Sequence, residues 1–164
     1  MDSNGSISLQ QQFGAKGICF GCGPCNERGL KINSYVHGDQ VVAAWQPQEG
    51  CEGFEDMMNG GIISSLLDCH CNWAAAWYLM KDKGRSVPLS TVTAEFSISF
   101  LEPTPVTQPL HLFAECDELK TYKARIRAWC ESNGRITAKF IGTFVAVKPN
   151  HPAFNQWGAT DEAI

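Results

Sequence analysis

The chain has 164 residues, 44% of them hydrophobic and 18% charged, with a formal net charge of −4. That balance fits one globular domain with a substantial core, falls outside the disordered range, and argues against bulk binding to nucleic acid while leaving room for a local basic patch. The opening MDSNGSISLQQQFGAKG has no basic start leading into an apolar stretch. The expectation is a cytoplasmic protein with most of its eight cysteines kept as thiols.

In chain order, residues 1–16 are polar and read as an arm or short helix, 17–148 as the domain, and 149–164 as a loose tail. ICFGCGPCNERGL spaces Cys19, Cys22 and Cys25 among turn formers. Three thiolates on one loop could begin a zinc site, but zinc needs four ligands and no second C-x-x-C pair follows. Cys51, His37 or His70 would have to complete the set, so the reading favours a packed cluster of reduced thiols, with no metal and a smaller allowance for redox chemistry. Cys116 and Cys130 sit in strand-like patterns as small hydrophobes.

LKINSYVHGDQVVAAW predicts a hairpin, with strands near 30–36 and 41–46 and Gly38-Asp39 in the turn. The Gly- and acid-rich PQEGCEGFEDMM then reads as a mobile segment that lines a site. From Asn59 to Met80 the pattern is helical and apolar on nearly every side, which marks a helix wrapped by the rest of the chain. Ser64, Ser65, Asp68, His70 and Asn72 make it too polar to cross a membrane. Asp68 is the sole formal charge between Asp56 and Lys81, and a carboxylate in a buried helix costs several kcal/mol unless paired or protonated. Such acids concentrate at active sites.

After a charged loop over 81–87, STVTAEFSISFLEP predicts a long strand. Its alternation puts Val92, Ala94, Phe96, Ile98 and Phe100 on an apolar face and Thr93, Glu95, Ser97 and Ser99 on a polar one. Further strands are expected near 110–118, 121–131 and 135–147, the last two joined through Asn133-Gly134. The closing ITAKFIGTFVAV is apolar on both faces at its end, as a central or covered strand would be. A strand pair, a buried helix and four antiparallel strands give an α+β domain, a curved sheet of five to six strands around one central helix.

Four stretches, in order, carry a resemblance: ICFGCGPCNERGL, NGGIISSLLD, TVTAEFSISFLEPTP and GRITAKFIGTFVAV. Together they resemble the PaaI-like acyl-CoA thioesterases of the hotdog fold over roughly residues 17–148. The resemblance implies hydrolysis of an acyl-CoA or related acyl-carrier thioester, without a cofactor, by a homodimer that can pair into a dimer of dimers. It implies Asp68 as general base or nucleophile, Gly60 (followed by Gly61) as the backbone donor to the thioester carbonyl, and Thr93 as a hydroxyl near the acid. One departure stands out: Asn59 occupies the family's usual His position, and an amide donates a hydrogen bond but moves no proton at neutral pH.

Elementary geometry supports part of this independently. Glycines at a helix start let backbone N–H groups meet an oxygen that is gaining charge. Asp68 lies eight residues beyond Gly60, about 12 Å along the axis, too far for one carbonyl to touch both. The donor must then come from a second subunit. Ser64 and Ser65, one turn before Asp68, could orient it or bond back to the helix backbone. Lys123, Arg125 and Arg127 form a period-two row that could hold the phosphates of coenzyme A, or simply a solvated strand face. Glu95 reads as solvated, His70 as a packed or interface histidine, and Trp73, Trp77 and Tyr78 as core or pocket wall. The competing readings are an acyl-CoA binding protein without catalysis, favoured by Asn59, a hotdog dehydratase, for which no histidine is suitably placed, and a structural metal module.

Overall fold

The computed structural model describes residues 7–157. Its elements are α1 (Leu9–Phe13), β1 (Tyr35–His37), β2 (Gln40–Trp45), β3 (Glu52–Phe54), β4 (Met57–Met58), α2 (Gly60–Asp82), β5 (Thr91–Phe100), β6 (Leu110–Lys120), β7 (Lys123–Ser132) and β8 (Arg135–Ala146). Six strands form one antiparallel sheet in the order β1-β2-β6-β7-β8-β5, curled against α2. This is the expected α+β hotdog architecture. Among the described residues no helix is long and apolar enough to cross a membrane.

Helix α2 is apolar all round because it is covered on both sides. The sheet presents Leu112, Ala128, Phe140 and Phe144 to one side. Leu9, Leu30, Ile32 and Trp157 complete the same core. The helix starts at Asn59, whose side chain takes the capping bond from Gly61. Ala74, Ala75 and Ala76 are fully buried, small residues that favour the helix and let neighbouring backbone approach closely.

The hairpin through Asn133-Gly134 forms as expected, with φ of 51° and 73°, the two positive values that its tight turn needs. Strand β8 lies inside the sheet between β7 and β5, a central strand as one of the two expectations had it. Three expectations need correction. Residues 30–34 are not a strand, because Leu30 and Ile32 bond irregularly to the cysteine loop (Leu30 N–H to Phe20 O, 2.7 Å; Ile32 N–H to Gly21 O, 3.0 Å), with Lys31 at φ 52°. PQEGCEGFEDMM is anchored rather than mobile: β3 pairs with β4, and Met58 N–H reaches Thr104 O at 2.8 Å. The tail is packed as far as Trp157, which stacks on Trp73 at 4.1 Å, while Gln156 donates to Thr91 O at 2.8 Å. Its remainder, like residues 1–6 of the arm, lies outside the described residues. The arm's helix is α1, closed by a reciprocal capping box between Ser8 and Gln11.

The third strand prediction also changes in detail. β5 pairs with β8 through Thr93↔Phe144 and then Glu95↔Thr143, so Ala94 is an extra residue in a bulge. A bulge inverts the alternation beyond it. Thr93 therefore shares the helix-facing side with Phe96, Ile98 and Phe100, whereas Val92 joins Glu95, Ser97 and Ser99 on the outer side.

Candidate active site

Asp68 emerges from the middle of α2 toward β5. Thr93 Oγ1 donates to its Oδ1 at 2.7 Å. The bulge at Ala94 is what brings this hydroxyl to the helix. Burial raises the Asp68 pKa, the Thr93 hydrogen bond opposes that rise, and the negative charge of a Cys19 thiolate reinforces it. No salt bridge to Asp68 occurs among the described residues. A half-buried carboxylate with one hydroxyl donor and no cation is a stronger base than a solvated one.

Nine residues earlier, Asn59 occupies most of the first-turn donors. Its Oδ1 accepts Gly61 N–H at 2.7 Å, and its backbone carbonyl accepts Ile62 and Ile63 N–H at 3.1 and 3.2 Å. Gly60 N–H is left as the first-turn donor without a partner among the described residues. Gly60 is also a position of close approach, since a Cβ there would sit 3.0 Å from Phe100 Cζ. The geometry therefore separates the two glycines, with Gly60 available to a ligand and Gly61 engaged in the cap. Asn59 itself serves the helix through its side-chain oxygen. Ser64 and Ser65 bond back to Gly60 O and Gly61 O at 2.7 and 2.9 Å, the second of the two options open from sequence.

Other candidates fall elsewhere. Lys123, Arg125 and Arg127 stand on the outer face of β7, while its Ala124, Ile126 and Ala128 are buried toward the helix. The sheet thus separates the basic row from Asp68. Arg127 clasps Glu115 through Nε and Nη2 at 2.9 and 2.7 Å, and Arg125 lies 3.5 Å from Asp117. Glu95, also outward, accepts from Thr143 Oγ1 at 3.3 Å. A groove lined by Ser97, Ser99, Arg127, Trp129, Lys139 and Ile141 belongs to this outer face as well.

His70 is wholly buried. Its Nε2 donates to Val41 O at 3.1 Å and its Nδ1 accepts from Ser34 Oγ at 2.9 Å. Burial pushes its pKa down to about 4. Trp73 and Trp77 are core, and Tyr78 donates to Asp39 O at 2.6 Å. Sequence reasoning missed Cys69, which joins Cys19 and Cys22 in one cluster next to Asp68. Only its place in the helix beside the acid hinted at this.

No family model and no curated protein matches the sequence. Solved structures do. A thioesterase superfamily protein from Shewanella loihica is 27% identical, with a TM-score of 0.59 over 71% of this chain and 90% of that one. The PaaI protein of the Escherichia coli phenylacetic acid degradation operon is 17% identical, with a TM-score of 0.57 over 72% and 80%. A hypothetical thioesterase with coenzyme A from Streptococcus pneumoniae is 18% identical, with a TM-score of 0.57 over 68% and 83%.

Proposed function

We propose, from the premise that this chain is a hotdog-fold relative of the PaaI-like thioesterases, that it hydrolyses an acyl-CoA or related acyl-carrier thioester to a carboxylic acid and a free thiol. The observation that carries this reading is Asp68, half-buried, hydrogen-bonded by Thr93 at 2.7 Å and lacking a cationic partner among the described residues. The coenzyme A bound by the S. pneumoniae relative supports the substrate class.

In this mechanism Asp68 takes a proton from water as the oxygen attacks the thioester carbonyl carbon. Charge develops on the carbonyl oxygen, which accepts a hydrogen bond from a Gly60 N–H at a helix N-terminus. The tetrahedral intermediate then expels the thiolate, and protonated Asp68 returns its proton to that sulfur. Acid, thiol and the starting carboxylate result. Since Gly60 and Asp68 of one helix lie about 12 Å apart, the donor belongs to a second copy of the chain. Strand β5 supports such a partner: it is a sheet edge, and Phe96, Phe100 and Leu101 are about half exposed on or beside it. A homodimer would join two shared sites. All eight cysteines are free thiols, as a reducing compartment such as the cytoplasm would keep them.

The second reading is a protein that binds acyl-CoA without hydrolysing it, favoured by the use of Asn59 as a helix cap. Free-thiol release from a panel of acyl- and aryl-CoA esters separates the two. Native protein should turn over at least one ester, and Asp68→Asn, matched for folding and oligomeric state, should lose about 10²–10⁴-fold in kcat. Binding without turnover in both would leave the second reading.

A further inference from the structure

Beside Asp68 lies a group of side chains that thioester hydrolysis does not use. Cys19 and Cys22 come from the N-terminal loop and Cys69 from α2, and their Sγ atoms all lie within 4.8 Å of one another. Cys19 and Cys69 Sγ are 3.6 Å apart. Two thiolates on one tetrahedral zinc, each with a Zn–S bond of about 2.3 Å, stand about 3.8 Å apart. A disulfide would require closure to about 2.05 Å. The triad is spaced for a shared ion.

The loop is shaped to hold this arrangement. Gly23 N–H bonds to Cys19 O at 2.8 Å and closes the C-x-x-C turn. A Cβ on Gly23 would lie 2.4 Å from Cys19 N, and one on Gly21 would lie 2.3 Å from Cys69 Sγ. The turn can therefore seat itself on the helix cysteine only with glycine at both positions. The Cys22 and Cys69 thiols and the backbone N–H groups of Cys22 and Gly21 lie against the Cys19 sulfur. Donors of this kind are what a metal-bound thiolate receives.

A second observation points to a ligand independently. Trp73 is 2% exposed, and its indole Nε1 has no hydrogen-bond partner among the described residues. This N–H lies against Cys22. A buried donor left unpaired is destabilising, and a thiolate on Cys22 would engage it. Cys25, by contrast, turns away and donates to Ala15 O at 3.3 Å. Cys51, His37 and His70 are not part of the cluster.

We propose that Cys19, Cys22 and Cys69 bind one Zn2+ ion through three thiolates, fastening the N-terminal loop to α2 at the residue next to Asp68. Water fills the fourth position. Binding releases the thiol protons to solvent, so affinity rises with pH, and the three thiolates with Zn2+ carry a net charge of −1. The exposed Cys19 provides the route of entry.

Cobalt titration of the full, reduced chain tests this directly. One equivalent of Co2+ should produce a thiolate-to-cobalt charge-transfer band and the intense visible bands of a four-coordinate site, and Zn2+ should bleach both. Cys69→Ser and Cys19→Ser should lose these bands, whereas Cys25→Ser should keep them. Cys19 is exposed, so its variant tests the proposal even if Cys69→Ser fails to fold. No band in the reduced native chain, or a loss in Cys25→Ser as complete as in Cys19→Ser, would overturn the assignment. So would peptide mapping that finds Cys19 joined to Cys69 by a disulfide in most chains of zinc-loaded protein. None of these readings depends on thioester turnover.

Discussion

The two faces of the sheet treat acidic side chains in opposite ways. On the outer face, Glu115 and Asp117 are matched by Arg127 and Arg125 within 4 Å, all in reach of water. On the inner face, Asp68 has a threonine hydroxyl and surrounding burial that raises its pKa. An exposed ion pair is screened and stabilises little, and its charges are spent on each other. A carboxylate removed from water with one neutral donor keeps its basicity for a ligand. Charge density marks the outer face, whereas isolation of a charge marks the candidate site.

After the loss of Asp68 itself, the largest expected effect comes from removing the donor that the inner site would borrow from a partner. Gly60→Pro deletes the one first-turn N–H without a partner among the described residues, at a helix position whose backbone suits proline, with the half-exposed Phe100 ring shifting to clear the new Cβ. Asn59 already has ψ near 130°, as a residue before proline prefers. Activity should fall about 10²–10³-fold with helicity and oligomeric state unchanged. Mixing Gly60→Pro chains with Asp68→Asn chains should then restore turnover, because one of the two sites in each hybrid dimer keeps both groups. No recovery on mixing would rule out shared sites.

His70 sharpens the contrast through stability. It accepts a proton in the folded chain only near pH 4, but near 6.5 when unfolding exposes it. Between those values the unfolded chain binds more protons, so stability is fully present above pH 6.5 and is lost as pH falls toward 4. The loss should reach about 2 kcal/mol at pH 5, from the value of about 1.4 kcal/mol per pKa unit. Asp68, with a raised pKa, works in the opposite direction over part of this range. Denaturant unfolding of the native protein and of His70→Gln isolates the histidine. Glutamine can still accept from Ser34 and donate to Val41 O, so its curve should lack that part of the slope.

The helix, the strand order after it and the Asn133-Gly134 turn were legible because each is encoded locally, by periodicity or by a residue pair that tolerates positive φ. Asp68 was legible for the same reason, as a charge alone in an apolar run. Strand 30–36 was misread because Leu30 and Ile32 alternate as strand residues do, yet the partner they meet is the cysteine loop. The bulge at Ala94 has no local signature, so Thr93 was assigned to the wrong face although its partnership with the acid was implied by resemblance. Cys69 joins the cysteine loop across 50 positions of sequence, and spacing within the loop could not reveal it.

Thr93 tests how much the inner acid depends on its one donor. Thr93→Val keeps the shape of the side chain and removes the bond to Asp68 Oδ1. If the hydroxyl aims the carboxylate at water, kcat should fall about tenfold, equivalent to about 1.4 kcal/mol, with KM nearly unchanged. Thr93→Ser should recover most of the loss, because it returns the hydroxyl. A purely structural threonine would show a lower unfolding midpoint in both variants and no such split between kcat and KM.

The smallest effect is expected where the charges are most numerous. Arg127 is exposed and held by Glu115 and Asp117 on the face away from Asp68. Its guanidinium has its forked donors on Glu115, so a phosphate would have to displace a carboxylate already bound in the same geometry. Arg127→Ala should therefore leave both the unfolding midpoint and KM for a CoA ester unchanged within error. A rise in KM that disappears at high salt would instead assign coenzyme A phosphates to the outer row. The substrate would then have to reach across the edge of the sheet between its phosphates and its thioester, and the division between the two faces would no longer separate structure from chemistry.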